Sequence, residues 1–327
     1  MIEVTDATSP AAAKAPVGRG VVVVTARRRV ADDVVELTLA RPDGTRLPDW
    51  APGAHIDLIL PDGLVRQYSL CGDRWDAATY RIAVQRDAEG RGGSVAVHDA
   101  VRPGDALGFG GPRNNFRLAP ATDLLFVSGG IGITPILPMI RQAELLDIPW
   151  RLLYLGRGRT RLAYLDELSR YGDRVTVHCG GELGRADLAG WRPRDPRTRV
   201  YSCGPARLLD AVEAWGAVPG GHAPRIERFS GIVSEGAAAS RFEVVAARTG
   251  VATRVEPHES VAEALTRAGV RVVTSCGQGV CGTCETDVVD GVPDHRDALL
   301  DDEERRAGRC MFPCVSRSSS ARLVLDI

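Results

Sequence analysis

The residues best equipped for chemistry sit near the C-terminal end: Cys276, Cys281 and Cys284 run C-x4-C-x2-C, and Cys314 follows after 29 intervening residues. This is the spacing at which four thiolates take up a 2Fe–2S cluster of the plant type. Four sulfurs must converge on two irons, so a tight loop supplies three and a distant strand the last. Gly277, Gly279 and Gly282 let such a loop coil with its backbone N–H groups aimed at the sulfides. A structural zinc site is the alternative, although zinc usually pairs one C-x2-C with another or with histidines. Cys310 competes with Cys314 for the fourth position. Five of the eight cysteines fall in the last 52 residues, the others being Cys71, Cys179 and Cys203. The first twenty residues have an acidic start and no long apolar stretch, so no export signal is read there, and a metal or redox centre is favoured over disulfides.

Two further constellations could hold phosphates. Arg66-Gln67-Tyr68-Ser69 is followed about 25 residues later by Arg91-Gly92-Gly93-Ser94. Arginine offers a bidentate fork for phosphate, tyrosine a face for a flavin ring, and Gly-Gly-Ser at a helix start free N–H groups. Either motif alone is as readily an outward arginine on a strand or an ordinary N-cap. Farther on, Ser128 to Pro135 reads SGGIGITP, with Gly129, Gly130 and Gly132 letting the backbone approach a pyrophosphate at a helix N-terminus. Cys203-Gly204-Pro205 ends a later strand and places a small thiol where ligands bind in open α/β sheets; a buried small hydrophobe is the plainer meaning of Cys203.

Elements must position these groups, and their periods change along the chain. From about Gly20 to Leu118, short β-rich runs (21–25, 34–39, 55–60, 67–70, 80–86, 105–109) alternate with turns, which predicts a small antiparallel barrel. From Asp123 strands at 124–128, 151–155, 174–178 and 199–203 alternate with helices from Pro135, around Tyr164 to Tyr171, and from Ala206 to Trp215. That is a βαβ series and predicts a parallel sheet. SGIVSEGAAAS, Ser230 to Ser240, reads as a linker, and an alternating strand pattern resumes at Arg241. The expected division is a tail at 1–18, a flavin barrel at 19–118, an α/β nucleotide domain at 119–229, the linker at 230–240 and an α+β cluster domain at 241–327.

Composition bounds the rest. A formal charge of −1 from 41 basic and 42 acidic residues leaves no field to attract nucleic acid, and no apolar run approaches a membrane span. Lys14 is the only lysine. His295, after Pro293, reads as part of a surface turn, and Asp301-Asp302-Glu303-Glu304 as a helix start that could also dock an electron acceptor.

Taken together, RQYSL, GRGGS, GGIGITP, CGP, SCGQGVCGTCET and CVSR resemble the phthalate dioxygenase reductase family, which includes vanillate demethylase reductases, across about Gly20 to Ile327. The resemblance implies three domains in that order: a Greek-key flavin barrel, a nucleotide domain of ferredoxin-reductase type, and a β-grasp 2Fe–2S ferredoxin domain. It implies FMN over FAD, NADH as donor, and a cytoplasmic monomer passing electrons to a Rieske-type terminal oxygenase in aromatic-compound catabolism. Arg66, Tyr68, Ser69, Gly93 and Ser94 match the family's flavin-holding positions, Gln67, Arg91 and Gly92 lie in the same motifs, and Gly129 opens the GGIGITP turn. Gly130, Thr134 and Pro135 match its nicotinamide turn, and Cys203, Gly204 and Pro205 its second one. Glu227 and Phe229, in RIERFSG, match the end-of-domain segment whose aromatic covers the flavin; a plain core aromatic is the other meaning of Phe229. CVSR selects Cys314 over Cys310 as the fourth ligand. Arg157, Arg159 and Arg161 leave NADPH open as donor, a cytochrome P450 is an alternative acceptor, and a redox-sensing protein without turnover is the reading from another class.

Overall fold

The computed structural model describes residues 19–61, 63–231 and 240–327. The expected N-terminal tail, and the expected linker apart from its ends, lie outside these residues. Among the described residues no helix is long and apolar enough to cross a membrane.

The first sheet is built from β1 (Arg19–Ala31), β2 (Val34–Ala40), β3 (His55–Ile59), β4 (Val65–Ser69), β5 (Thr79–Gln85) and β6 (Ala106–Arg113), with helix α1 (Gly93–Ala100) between the last two. All pairings are antiparallel in the order β4-β3-β6-β1-β2-β5, and a bridge between Leu70 and Ile82 brings the end strands together. Inward positions alternate along each strand: Val22 and Val24, Leu37 and Leu39, Ile56 and Leu58, Tyr80 and Ile82 are buried in one core. The strands run longer than their apolar cores suggested, because β1 continues through Arg27 to Arg29, whose backbone pairs with β2 whatever the side chains do.

The second sheet is parallel: β7 (Asp123–Gly129), α2 (Ile133–Leu145), β8 (Trp150–Gly156), α3 (Leu165–Ser169), β9 (Val175–Cys179), α4 (Gly180–Leu183), β10 (Thr198–Cys203), α5 (Ala206–Glu213) and β11 (Arg225–Glu227) give the strand order β11-β10-β7-β8-β9. Its strands are near-continuous apolar runs because both faces are covered. Leu124 and Phe126 pack with Ile136 and Ile140 of α2, whereas Leu125 and Val127 pack with Val212 and Trp215 of the α5 side. The helix expected around Tyr164 to Tyr171 shrinks to α3 because Tyr164 sits at φ 63°, outside the right-handed helical region.

The third unit is a mixed sheet, β13-β12-β18-β14-β16, from β12 (Phe242–Ala246), β13 (Val251–Val255), β14 (Thr286–Asp290), β16 (Cys310–Met311) and β18 (Arg322–Leu325), with β15 (Pro293–Asp294) and β17 (Arg317–Ser318) paired beside it. Helix α6 (Val261–Arg267) covers it, started by a capping box in which the Ser260 hydroxyl accepts from Glu263 N–H and the Glu263 carboxylate accepts from Ser260 N–H. Helix α7 (Asp302–Ala307) opens the same way on Asp301 and Glu304.

The first two units share a buried seam. Tyr164 donates to Glu36 at 2.9 Å and lies 3.3 Å from the Cys71 thiol, and Arg141 of α2 donates to the Cys71 and Gly72 carbonyls at 2.8 and 2.6 Å. His295 is a correction to the sequence reading. Its side chain is only 7% exposed, 3.8 Å from the buried Asp297 carboxylate, because the β15–β17 pair folds the turn inward.

Candidate functional site

The cysteine loop lies between α6 and β14. Gly277, Gly279 and Gly282 all have positive φ (63°, 67° and 75°), the coil that a side chain with a Cβ resists. The coil turns the Gln278 N–H onto the Cys276 sulfur at 3.3 Å. Cys284 and Cys314 bring their sulfurs within 3.2 Å, and the Cys276 thiol is in hydrogen-bond reach of both Cys281 and Cys314. Cys310 sits instead on β16, opposite Asp287 of β14. The loop thus draws Cys276, Cys281, Cys284 and Cys314 together, the four-thiolate ligand set of a two-iron cluster.

A cavity of 590 Å³ opens at the mouth of the first sheet, a size suited to a cofactor ring system. Arg66, Gln67, Tyr68 and Ser69 line it from β4, and Arg91, Gly93 and Ser94 from the start of α1. Gly93 is required there: a Cβ would lie 2.5 Å from the Arg66 side chain, so the arginine stem fills the space a side chain would take. Gly92, at φ 78°, sets the helix start, and no side chain caps the first N–H groups of α1. The Ser94 hydroxyl is engaged with the Asp87 backbone, accepting at 3.0 Å and donating at 3.3 Å. Arg66 donates to the carbonyls of Val65, at 2.8 Å, and Arg91. Uncapped N–H groups beside a guanidinium suit a phosphate.

A second cavity, of 790 Å³, runs along the C-terminal edge of the parallel sheet. Gly129 and Gly130 line it on one side, Gly204 and Pro205 on the other. The two βα turns meet closely: a Cβ on Gly132 would fall 2.2 Å from the Cys203 carbonyl. Thr134 lines the first cavity and not the second, its hydroxyl donating to the Ile131 carbonyl at 3.0 Å, and Pro135 is buried within α2. Cys203 and Glu227 line neither cavity. They lie paired on neighbouring strands, β10 and β11, and burial raises the pKa of both, that of Glu227 to about 8. Phe229, 44% exposed, borders both cavities.

The cluster loop closes one side of the first cavity. Gln278 lines it, and Arg91 donates to the Cys276 carbonyl at 2.8 Å and to Gln278 at 3.0 Å. Gln67 donates both to Ser275, at 2.5 Å, and to Asp57, at 2.7 Å. Asp57 is held further by Arg113 at 2.6 Å, and Arg113 also reaches the Cys281 carbonyl at 3.4 Å. His55 is buried beside this group, its imidazole pushed down to about pKa 4 by burial and the Arg113 cation. Ser275 and Gln278 lie within SCGQGVCGTCET without a role of their own, and Asp57 and Arg113 lie in no motif and were not singled out in the sequence. Of the arginines that were, Arg157 and Arg161 line the second cavity and Arg159 does not, whereas Arg185 and Arg207, unremarked in the sequence, do.

Comparison with known proteins agrees with this architecture. Residues 244–319 match the model of the 2Fe-2S iron-sulfur cluster binding domain. The chain is 42% identical over 311 residues to the toluene-4-sulfonate monooxygenase system reductase subunit of Comamonas testosteroni, covering 94% of this chain and 98% of that one. Among solved structures, a type IV self-sufficient cytochrome P450 monooxygenase superposes with a TM-score of 0.88 at 38% identity over 94% of this chain, which spans 41% of that larger one. Phthalate dioxygenase reductase superposes with a TM-score of 0.68 at 36% identity, covering 95% of this chain and 98% of that one. Identity at this level along essentially the whole length of both chains, with all three units in the same order, places the chain in the phthalate dioxygenase reductase family, as an NAD(P)H-dependent flavin and 2Fe–2S reductase.

Proposed function

We propose that the chain is the reductase component of a two-component oxygenase of the aromatic dioxygenase or O-demethylase type, a cytoplasmic monomer that takes electrons from NADH through FMN to its 2Fe–2S cluster and on to a Rieske-type terminal oxygenase. The proposed division is flavin domain 19–118, nucleotide domain 119–229, linker 230–240 and cluster domain 241–327, after a tail at 1–18. One observation carries the reading: adjacent sites share walls. Phe229 is common to the nucleotide and flavin cavities, and Gln278, two residues from Cys276, is common to the flavin cavity and the cluster loop.

Bound flavin and cluster supply the chemistry, acceptance of a two-electron hydride and its release as single electrons, and no side chain need act as acid or base. The side chains position. Arg66 and the first N–H groups of α1 hold the flavin phosphate, Tyr68 flanks the ring, and Gly129, Gly130, Gly204 and Pro205 let the nucleotide backbone lie close to the sheet edge. Phe229 shuts the flavin wall against water until a nicotinamide takes its place. Cys276, Cys281, Cys284 and Cys314 hold the cluster, and Arg91 and Gln67 tie its loop to the flavin wall. The superposition on the P450 fusion protein supports a second acceptor, a cytochrome P450.

The test is an anaerobic titration of the purified, cofactor-replete protein with NADH, following flavin and cluster absorbance, with acid extraction of the flavin and reconstitution with a Rieske oxygenase or a P450. Bleaching of both chromophores, release of FMN and turnover with the Rieske partner are expected. Turnover with only the P450 selects the second acceptor, and a loaded sample that no pyridine nucleotide reduces leaves a binding protein without turnover.

A further inference from the structure

Four arginines and no carboxylate line the nucleotide cavity: Arg157, Arg161, Arg185 and Arg207. Arg161 is engaged with Asp33 of the first sheet at 2.9 Å. The guanidinium groups of Arg157, Arg185 and Arg207 have no ion pair or hydrogen-bond partner among the described residues. Their places in the sheet separate them by task. Phe229 follows β11, at one edge of the order β11-β10-β7-β8-β9, whereas Arg157 directly follows β8 and Arg185 lies beyond α4, after β9, at the opposite edge. A dinucleotide whose nicotinamide lies toward Phe229 crosses the Gly129–Gly130 and Gly204–Pro205 turns with its pyrophosphate, beside Arg207 at the start of α5. Its adenosine then lies over β8 and β9, between two cations that the pyrophosphate does not use.

The backbone holds together the two segments that carry these cations. The Gly181 N–H donates to the Arg157 carbonyl at 2.9 Å, and a Cβ on Gly181 would fall 2.5 Å from that same oxygen, so the two loops touch where only glycine fits. The loop bearing Arg185 is pinned from behind by His178, whose Nε2 lies 2.8 Å from the Gly184 carbonyl. Dinucleotide folds that select NADH place a carboxylate on the ribose 2′-hydroxyl, and those that select NADPH an arginine near the 2′-phosphate. Here the carboxylate is missing from the cavity lining and two arginines stand in the region.

We infer that Arg157 and Arg185 form a subsite for a phosphate monoester on the adenosine ribose, so that the chain takes NADPH as a donor beside NADH. The inference rests on the reductase reading and adds the donor to it. The test uses the full, cofactor-loaded chain. Calorimetric titration compares ADP-ribose with 2′-phospho-ADP-ribose, and anaerobic stopped-flow compares flavin reduction by NADH and NADPH. Expected are at least roughly tenfold tighter binding of the phosphorylated ligand at low salt, a gap that narrows as salt rises, and NADPH reduction of the flavin. In Arg185→Ala, and independently in Arg157→Ala, the ratio of the two affinities falls toward one, and Arg185→Lys restores part of it. Equal affinities in the unaltered chain, or a ratio that neither alanine variant changes, overturns the subsite and leaves the reductase reading standing. Failure of both nucleotides to bind and to reduce the flavin overturns the reductase reading with it.

Discussion

The carboxyl of Glu227 has one oxygen sealed from solvent with no hydrogen-bond partner, and burial raises its pKa to about 8 even though the neighbouring Cys203 thiol, by donating to it, pulls the value down. An unfolded glutamate titrates near 4.3. Below that pH both states hold the proton. Between there and about 8 the unfolded chain ionises first, so stability falls as pH rises through this window and levels off above it, with a slope of at most about 1.4 kcal/mol per pH unit. Urea unfolding across pH 4 to 9 should show that slope, and Glu227→Gln should flatten it and leave the variant more stable at pH 9 than the unaltered chain. At this scale the sequence was legible where chemistry forces a spacing. Four thiolates around two irons demand the C-x4-C-x2-C run, and the glycines at 277, 279 and 282 announce the coil. It was illegible for Arg185 and Arg207, since one arginine among the 40 that make up all but one of the 41 basic residues carries no pattern. The burial of His295 was hidden for a related reason: the β15–β17 pairing that turns it inward joins residues more than twenty positions apart.

Among the elements, α1 does most for its neighbours relative to its eight residues. Its first residue, Gly93, is buried against Arg66, and its first N–H groups have no side-chain cap. Gly93→Ala should drive the Arg66 side chain off the helix start. Flavin affinity, read by quenching of flavin fluorescence, is expected to fall roughly tenfold or more, since the guanidinium proposed to hold the phosphate is displaced from beside the helix start. Thermal unfolding of the flavin-free protein should move little, because the gain of up to about 1 kcal/mol from alanine in a helix offsets part of the rearrangement. The six strands of the first sheet and four of the five in the second were legible from period-two alternation or apolar runs, whereas β11 and the individual strands of the third sheet were not, and strand ends were not. β1 runs on through Arg27-Arg28-Arg29 because its partner, β2, continues opposite, and α3 begins only after Tyr164, whose left-handed backbone stays outside the helix.

In the whole molecule, the decisive contacts join residues 200 or so positions apart, such as Gln67 to Ser275 and Arg91 to Cys276, and no local pattern announces them. Domain order was legible, but the face on which the cluster unit lies was not. Asp57 is the hub of that junction, held by Gln67, Arg113 and Ser275. Asp57→Ala leaves the half-buried Arg113 without its carboxylate partner and should loosen the cluster loop from the flavin wall. Stopped-flow at separate flavin and cluster wavelengths is expected to show hydride transfer within about twofold of the unaltered rate and flavin-to-cluster transfer slowed on the order of tenfold. Equal slowing of both steps would mean that the damage is not confined to the junction. The ring of Phe229 has a further consequence for the order of traffic. It stands with Gln85 and Ile131 in the wall common to two rooms, so under the proposed function whatever reaches from one room into the other must pass that ring, and traffic there is a queue of single visits.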